Sequence, residues 1–120
     1  MVETIELPEV EFRTTDGVFI KQMLLRRAGT VVPQHAHVWD HTSLLVSGSI
    51  NCWKDGVFDA RYVAPAMICI AAGVKHLFHS MEDNTIIYCV HNLHSEDKVQ
   101  ILAEHSLSEY GIALALEEPV

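Results

Sequence analysis

The chain of 120 residues predicts an all-β domain, an antiparallel barrel or jelly roll with a short C-terminal helix. Two observations carry this. Short apolar and β-branched runs follow one another through most of the chain, and each is bounded by a turn signal: Gly29, Gly48, Asp55-Gly56, Pro65, Gly73 or Asp83-Asn84. Many short strands at even spacing suit a barrel, in which alternate side chains point in and out. No internal repeat, low-complexity tract or linker interrupts the pattern, so residues 1–120 read as one domain, with the barrel over about 10–104 and a C-terminal segment over about 105–120.

Phe19–Arg26 and Val31–Val38 are expected as the first long strands, parted by Arg27-Ala28-Gly29. His41–Ser47 and Ser49–Trp53 flank a turn at Gly48, and Asp55-Gly56 after Lys54 is a strong hairpin signal. Arg61–Val63, Met67–Ala71, His76–Met81 and Thr85–Leu93 follow. After the polar His94-Ser95-Glu96-Asp97-Lys98, a last strand is expected over Val99–Ala103. Ser106-Leu107-Ser108-Glu109 resembles a capping box before a helix over Tyr110–Leu116. Leu107, Tyr110 and Leu114 share a helical face that can dock on the barrel or cross to another subunit, while Gly111 weakens the helix.

Sixteen Asp plus Glu against eight Lys plus Arg give a net charge of −8 with neutral histidines. That balance repels phosphate backbones and anionic lipid, so no nucleic acid and no membrane is expected as a partner. The longest stretch without strongly polar side chains, Tyr62–Val74, contains Pro65 and Gly73 and is shorter than the roughly 20 residues of a membrane helix. The acidic opening Met1-Val2-Glu3-Thr4-Ile5-Glu6 does not read as an export leader. Cys52, Cys69 and Cys89 are odd in number, widely spaced and without a CxxC pair, which fits buried thiols in a reducing compartment; a cytoplasmic location is the expectation.

The chemistry concentrates in the histidines. Residues 29–48 run G-x5-H-x-H-x3-H-x6-G, with His35, His37 and His41 framed by Gly29 and Gly48. Residues two apart on a strand share a face, so His35 and His37 can aim both imidazoles at one point, and a bend at Trp39-Asp40 returns His41 to it. Neutral imidazole is available near pH 7 as a transition-metal ligand. His76 follows after Gly73.

This pattern resembles the first motif of the cupin superfamily, G-x5-H-x-H-x3-E-x6-G, with His41 where that family usually has glutamate. Residues 65–80 resemble the second motif, G-x5-P-x-G-x2-H-x3-N. Gly73 and His76 keep it literally, while Pro65, Ala71 and Ser80 stand where the family has glycine, proline and asparagine. The resemblance implies a small single-domain cupin, a homodimer by default, and one divalent transition metal ion on His35, His37, His41 and His76. Four neutral imidazoles leave the ion its full charge and favour Zn, Ni, Cu or Co over oxygen-rich sites, with Fe and Mn still open. An octahedral ion so held keeps two adjacent positions for water, dioxygen or a chelating substrate.

Same-face alternation puts Ser43 and Leu45 beside His41, and Phe78 and Ser80 beside His76, as an expected substrate pocket that Trp39 either walls or merely packs near. His79, three residues from His76, should face away; His91 and His94 stay open between ligand and packing roles, and His105 reads as solvated. Asp40 should point away from the site, and no Asp or Glu falls at an obvious inward position, so no resident general acid or base is visible. The sequence therefore supports a metal-dependent enzyme of dioxygenase type acting on a small chelating substrate. The alternative is a non-catalytic domain that binds a small molecule or anion around a structural metal; a metal-assisted isomerase or hydrolase comes third.

Overall fold

The structure is a computed structural model and describes residues 6–33 and 40–92. The described residues are all β: β1 Glu9–Thr15, β2 Val18–Leu25, β3 Val31–Pro33, β4 His41–Ser47, β5 Ser49–Lys54, β6 Val57–Val63, β7 Ala66–Ile70, β8 His76–Ser80 and β9 Thr85–Asn92. One sheet has the order β1-β2-β9-β4-β7 and the other β3-β8-β5-β6. Every pairing is antiparallel. The all-β expectation holds. The strand expected at Val99–Ala103 and the helix expected at Tyr110–Leu116 lie outside the described residues, as does most of the strand expected beyond Pro33.

Two strands differ from the sequence reading. β1 precedes the first strand expected, although Glu9-Val10-Glu11-Phe12-Arg13 alternates polar and apolar and its burial follows suit. It is an exposed edge strand, so its alternation is shallow. β6 starts at Val57 rather than Arg61 because the Asp55-Gly56 turn hands the chain directly into pairing, Lys54 opposite Val57, with a bulge at Cys52/Trp53 that absorbs the extra residue.

The same turn chemistry closes both tight hairpins. Asp16 and Gly17 have φ of 49° and 79°, and Asp55 and Gly56 have 50° and 80°, two successive positive values that match a type I′ turn. The turn at Asp55 is tied further. Its amide donates to the Lys75 carbonyl at 2.6 Å, and its carboxylate accepts from the Lys75 amide at 3.0 Å. The β5–β6 hairpin is thereby fastened to the residue before His76.

The register stacks the inward side chains of the five-stranded sheet in rows. Met23, Ile87, Leu45 and Ala66 form one row across β2, β9, β4 and β7. Lys21, Cys89, Ser43 and Ile68 form the next, and Phe19 and His91, then His41 and Ile70, the outermost. The facing sheet contributes Phe78 opposite Cys52 and Ser80 opposite Ile50. Met23, Leu25, Leu45, Ile50, Phe78 and Ile87 are at most 1% exposed, and each such side chain gains about 1.5–3 kcal/mol from leaving water. Burial pushes the Cys52 thiol up to about 11, with Asp59 adding to it, so this cysteine serves as a core hydrophobe.

At the end away from His41, Ser80 Oγ accepts from the Thr30 amide at 2.9 Å and donates to the Arg27 carbonyl at 2.9 Å. Thr30 Oγ1 donates to the same carbonyl at 2.7 Å. These bonds close the barrel base and give the Ser80 and Thr30 hydroxyls their partners.

Candidate metal-binding site

His41 opens β4 and His76 opens β8, so the two sheets each bring one histidine to the same end of the barrel. Alternation along each strand turns both inward: His41 is 7% exposed and His76 1%. Their ring centroids are 5.2 Å apart at an interplanar angle of 45°. His76 Nδ1 lies 3.5 Å from the Val74 carbonyl, which can only accept. With the proton on Nδ1, the lone pair of the neutral ring is on Nε2, the nitrogen that ligates.

His35, His37 and Trp39 lie outside the described residues. The chain on either side of them does not. Pro33 pairs with Leu77, the neighbour of His76, and Asp40 precedes His41, so residues 34–39 leave and rejoin the described barrel beside the two buried histidines. Asp40 turns its carboxylate to the Ala72 amide at 2.7 Å, as expected for a residue facing away from the site. Among the described residues, no group of three His, Cys, Asp or Glu side chains is arranged to hold a metal ion. A centre here would need at least one donor from outside the described residues. Two imidazoles converging from opposite sheets suit such a set in donor chemistry.

A third histidine joins the pair. One step beyond the Thr42–Val90 pairing, His91 stacks on His41 with centroids 5.2 Å apart and an interplanar angle of 28°, and Phe19 covers its other side at 6.0 Å. His91 is 3% exposed. The sequence left its role open; the inward alternation of β9 was its only signal. Near-parallel stacking makes it a packing neighbour of His41 rather than a third arm of a converging set. His79 faces the other way, half-buried, with its ring 6.2 Å from that of Trp53.

Of the expected pocket residues, Ser43, Leu45, Phe78 and Ser80 all point inward and are fully buried. They are not equally near the histidines. Phe78 packs on His76 with centroids 5.3 Å apart, and Ser43 lies one row below His41 with its Oγ 3.5 Å from Cys89 Sγ. Leu45 and Ser80 are four residues along their strands, roughly 13 Å away. Leu45 belongs to the apolar core and Ser80 to the base network. Lys21 was missed altogether. It is 6% exposed and sits inward between Phe19 and Met23 in the row of Ser43 and Cys89. A cavity of about 180 Å3, lined by Trp53, Gly56, Lys75, His76 and Leu77, opens beside the β5–β6 hairpin and reaches His76 from that side.

Solved structures share this architecture. An RmlC-like cupin family protein with a double-stranded β-helix fold from Methanocaldococcus jannaschii is 19% identical, with a TM-score of 0.60 over 77% of this chain and 92% of that one. The cupin 2 conserved barrel domain protein from Salinispora arenicola is 12% identical, with a TM-score of 0.63 over 82% of this chain and 84% of its own. The fold is that of the cupins. KdgF from Halomonas sp. is also similar, at 13% identity and a TM-score of 0.59 over 73% and 80% of the two chains. No family model and no curated protein matches the sequence. At these identities the likeness speaks for the cupin barrel, and the chemistry must be argued from the residues. No helix among the described residues is long and apolar enough to cross a membrane.

Proposed function

We propose that this cupin barrel is a metal-dependent enzyme of dioxygenase type acting on a small chelating substrate, with one divalent ion held by His35, His37, His41 and His76. The observation that carries the reading is the meeting of His41 and His76 from opposite sheets, both buried, where the segment bearing His35 and His37 leaves and rejoins the barrel. A divalent ion so held supplies Lewis-acid polarisation and, if redox-active, electron transfer to dioxygen. The chain's own residues do the rest. The Val74 carbonyl, 3.5 Å from His76 Nδ1, favours the tautomer with Nε2 free, Phe78 packs on that ring, and His91 stacks on His41.

One observation favours the non-catalytic reading, a domain that captures a small molecule or anion. The buried polar residues among those described are Lys21, Thr30, His41, Ser43, Ser49, His76, Ser80, Thr85 and His91, with no Asp or Glu to serve as a resident proton-transfer group. Chemistry that leans on the ion and dioxygen needs none, which keeps the enzyme reading first.

Elemental analysis of untagged protein purified without chelators, beside the His37→Ala, His76→Ala and His79→Ala variants, tests the site. About one equivalent of metal is expected, lost in the first two and kept in the third. Retention by His76→Ala would remove the proposed ligand set. Oxygen uptake by Fe-, Mn-, Ni- or Cu-loaded protein on a panel of diketones, catechols and thiols then decides between the two readings; no uptake above buffer with any of them leaves the binding domain.

A further inference from the structure

The loop that leads from β7 into His76 is held by hydrogen bonds more than by packing. Ala71, Ala72, Gly73 and Lys75 are exposed, and Val74 is the loop residue that packs against the core. A Cβ added at Gly73 would meet nothing within 4 Å, and the cavity of about 180 Å3 opens against Lys75 and His76. Within the loop, the Val74 amide donates to the Ala71 carbonyl at 3.2 Å, and Gly73 takes the left-handed third position of that turn at φ of +80°.

Two aspartates fasten this turn to the barrel. Asp40, next to His41, accepts from the Ala72 amide at 2.7 Å. Asp55, at the tip of the β5–β6 hairpin, accepts from the Lys75 amide at 3.0 Å and donates its own amide to the Lys75 carbonyl at 2.6 Å. The first pin comes from the five-stranded sheet and the second from the four-stranded one, so residues 71–75 are tied to both. A carboxylate acceptor makes each pin roughly twice as strong as a bond between neutral groups. Between the pins lies Val74, whose carbonyl stands 3.5 Å from His76 Nδ1. Releasing the loop moves that carbonyl, while the pairing of β8 with β5, Lys54 opposite His76 and Cys52 opposite Phe78, keeps the strand itself in place.

We infer that Asp40 and Asp55 are positioning residues for the candidate metal centre. By pinning the 71–75 loop to both sheets they hold the Val74 carbonyl at His76, and they tie the aim of that imidazole to the strand that begins at His41. Each carboxylate is committed to a backbone amide and acts on the centre through His76. The inference rests on the reading of His41 and His76 as ligands, but its effect on the His76 ring exists without any metal.

The test separates the pins from the fold. Asp55→Gly suits the positive φ of the turn and deletes the pin, whereas Asp55→Asn suits the turn and keeps an acceptor oxygen. Asp40→Ala and Asp40→Asn make the same pair at the other end. Nitrogen-15 NMR of metal-free protein at mildly alkaline pH reads the His76 tautomer, and Co(II) titration followed by visible absorption reads affinity. Wild type is expected to carry the His76 proton on Nδ1. The Asp40→Ala, Asp55→Gly double variant should mix the two tautomers and bind Co(II) about tenfold more weakly, the low end for losing a partner behind a ligand. The double asparagine variant should restore both readings. Thermal melting follows the fold separately, and Asp55→Gly alone carries the test if the double variant melts below the assay temperature. A His76 tautomer unchanged by loss of the carboxylates, or Co(II) affinity at the wild-type level without them, overturns the inference. Wild type that binds no Co(II) while its His76 tautomer still depends on the two pins sinks the metal centre and leaves their positioning of His76 standing.

Discussion

Replacing Gly48 by alanine separates the stability of the barrel from the chemistry at its mouth. Gly48 is the single residue between β4 and β5, with φ of +83°, so an alanine there takes a left-handed conformation that costs roughly 1–2 kcal/mol. Its methyl group would also stand 2.9 Å from the Cα of Thr85, closer than real contacts come. Thr85 cannot easily yield: it is fully buried and its hydroxyl donates to the Glu82 carbonyl at 3.0 Å. Overpacking of this kind costs about 1–3 kcal/mol, which brings the total to about 2–5 kcal/mol. At roughly 4 °C per kcal/mol for a domain of this size, the melting temperature should fall by about 8–20 °C. Gly56→Ala is the control. Its φ is +80°, but nothing lies within 4 Å of the added Cβ, so only the conformational cost of roughly 1–2 kcal/mol applies. Thermal and urea unfolding followed by circular dichroism read both variants. His41 is seven residues along β4, about 23 Å from Gly48, so Gly48→Ala should keep its metal at low temperature. A Gly48→Ala melting point no lower than that of Gly56→Ala would refute the argument from close contact.

Other consequences are as direct. Ser80→Ala removes two bonds, the one from the Thr30 amide, which keeps the Arg27 carbonyl at 3.2 Å, and the one to that carbonyl; at about 0.5–1.5 kcal/mol each it should cost about 1–3 kcal/mol in urea unfolding, with metal content unchanged because the bonds lost are at the barrel base. Thiol titration of the native protein should label Cys69, which is exposed, while Cys52 and Cys89 react only after unfolding. The Cys52 thiol is raised from 9.0 to about 11, so the unfolded chain loses its proton first: its contribution to stability is intact below pH 9 and lost as pH rises through 11. Cys52→Ala should flatten that alkaline decline in urea midpoints. Tyr62, held up to about 12 by burial and by its hydrogen bond to Asp59 at 3.0 Å, should ionise late in a near-ultraviolet titration. Asp59→Asn should bring its midpoint down, because an anion beside the phenol disfavours the phenolate.

The sequence by itself determined the class of the fold and the faces of His41, His76 and His79. Strand alternation is local, with a period of two, so His41 and His76 could be assigned inward and His79 outward before any pairing was known. The Asp55-Gly56 turn was legible for the same reason: its two positive φ values are a property of that dipeptide. Asp16-Gly17 carried the same signal and went unread. The spacing of His35, His37, His41 and His76 suggested a ligand set only through its resemblance to a known motif.

Tertiary structure decided which inward residues share a row. Alternation says that Ser80, Leu45, Lys21 and His91 point inward, but not at what height in the barrel, because height is set by the register between strands far apart in the chain. The β4–β9 register puts His91 against His41, and the β2–β9 register puts Lys21 level with Cys89 and Ser43. The closing bonds of Arg27 and Thr30 put the Ser80 hydroxyl into the barrel base. Those registers follow from core packing of Met23, Leu45 and Ile87 across three strands, a property of the assembled sheet that no single segment encodes.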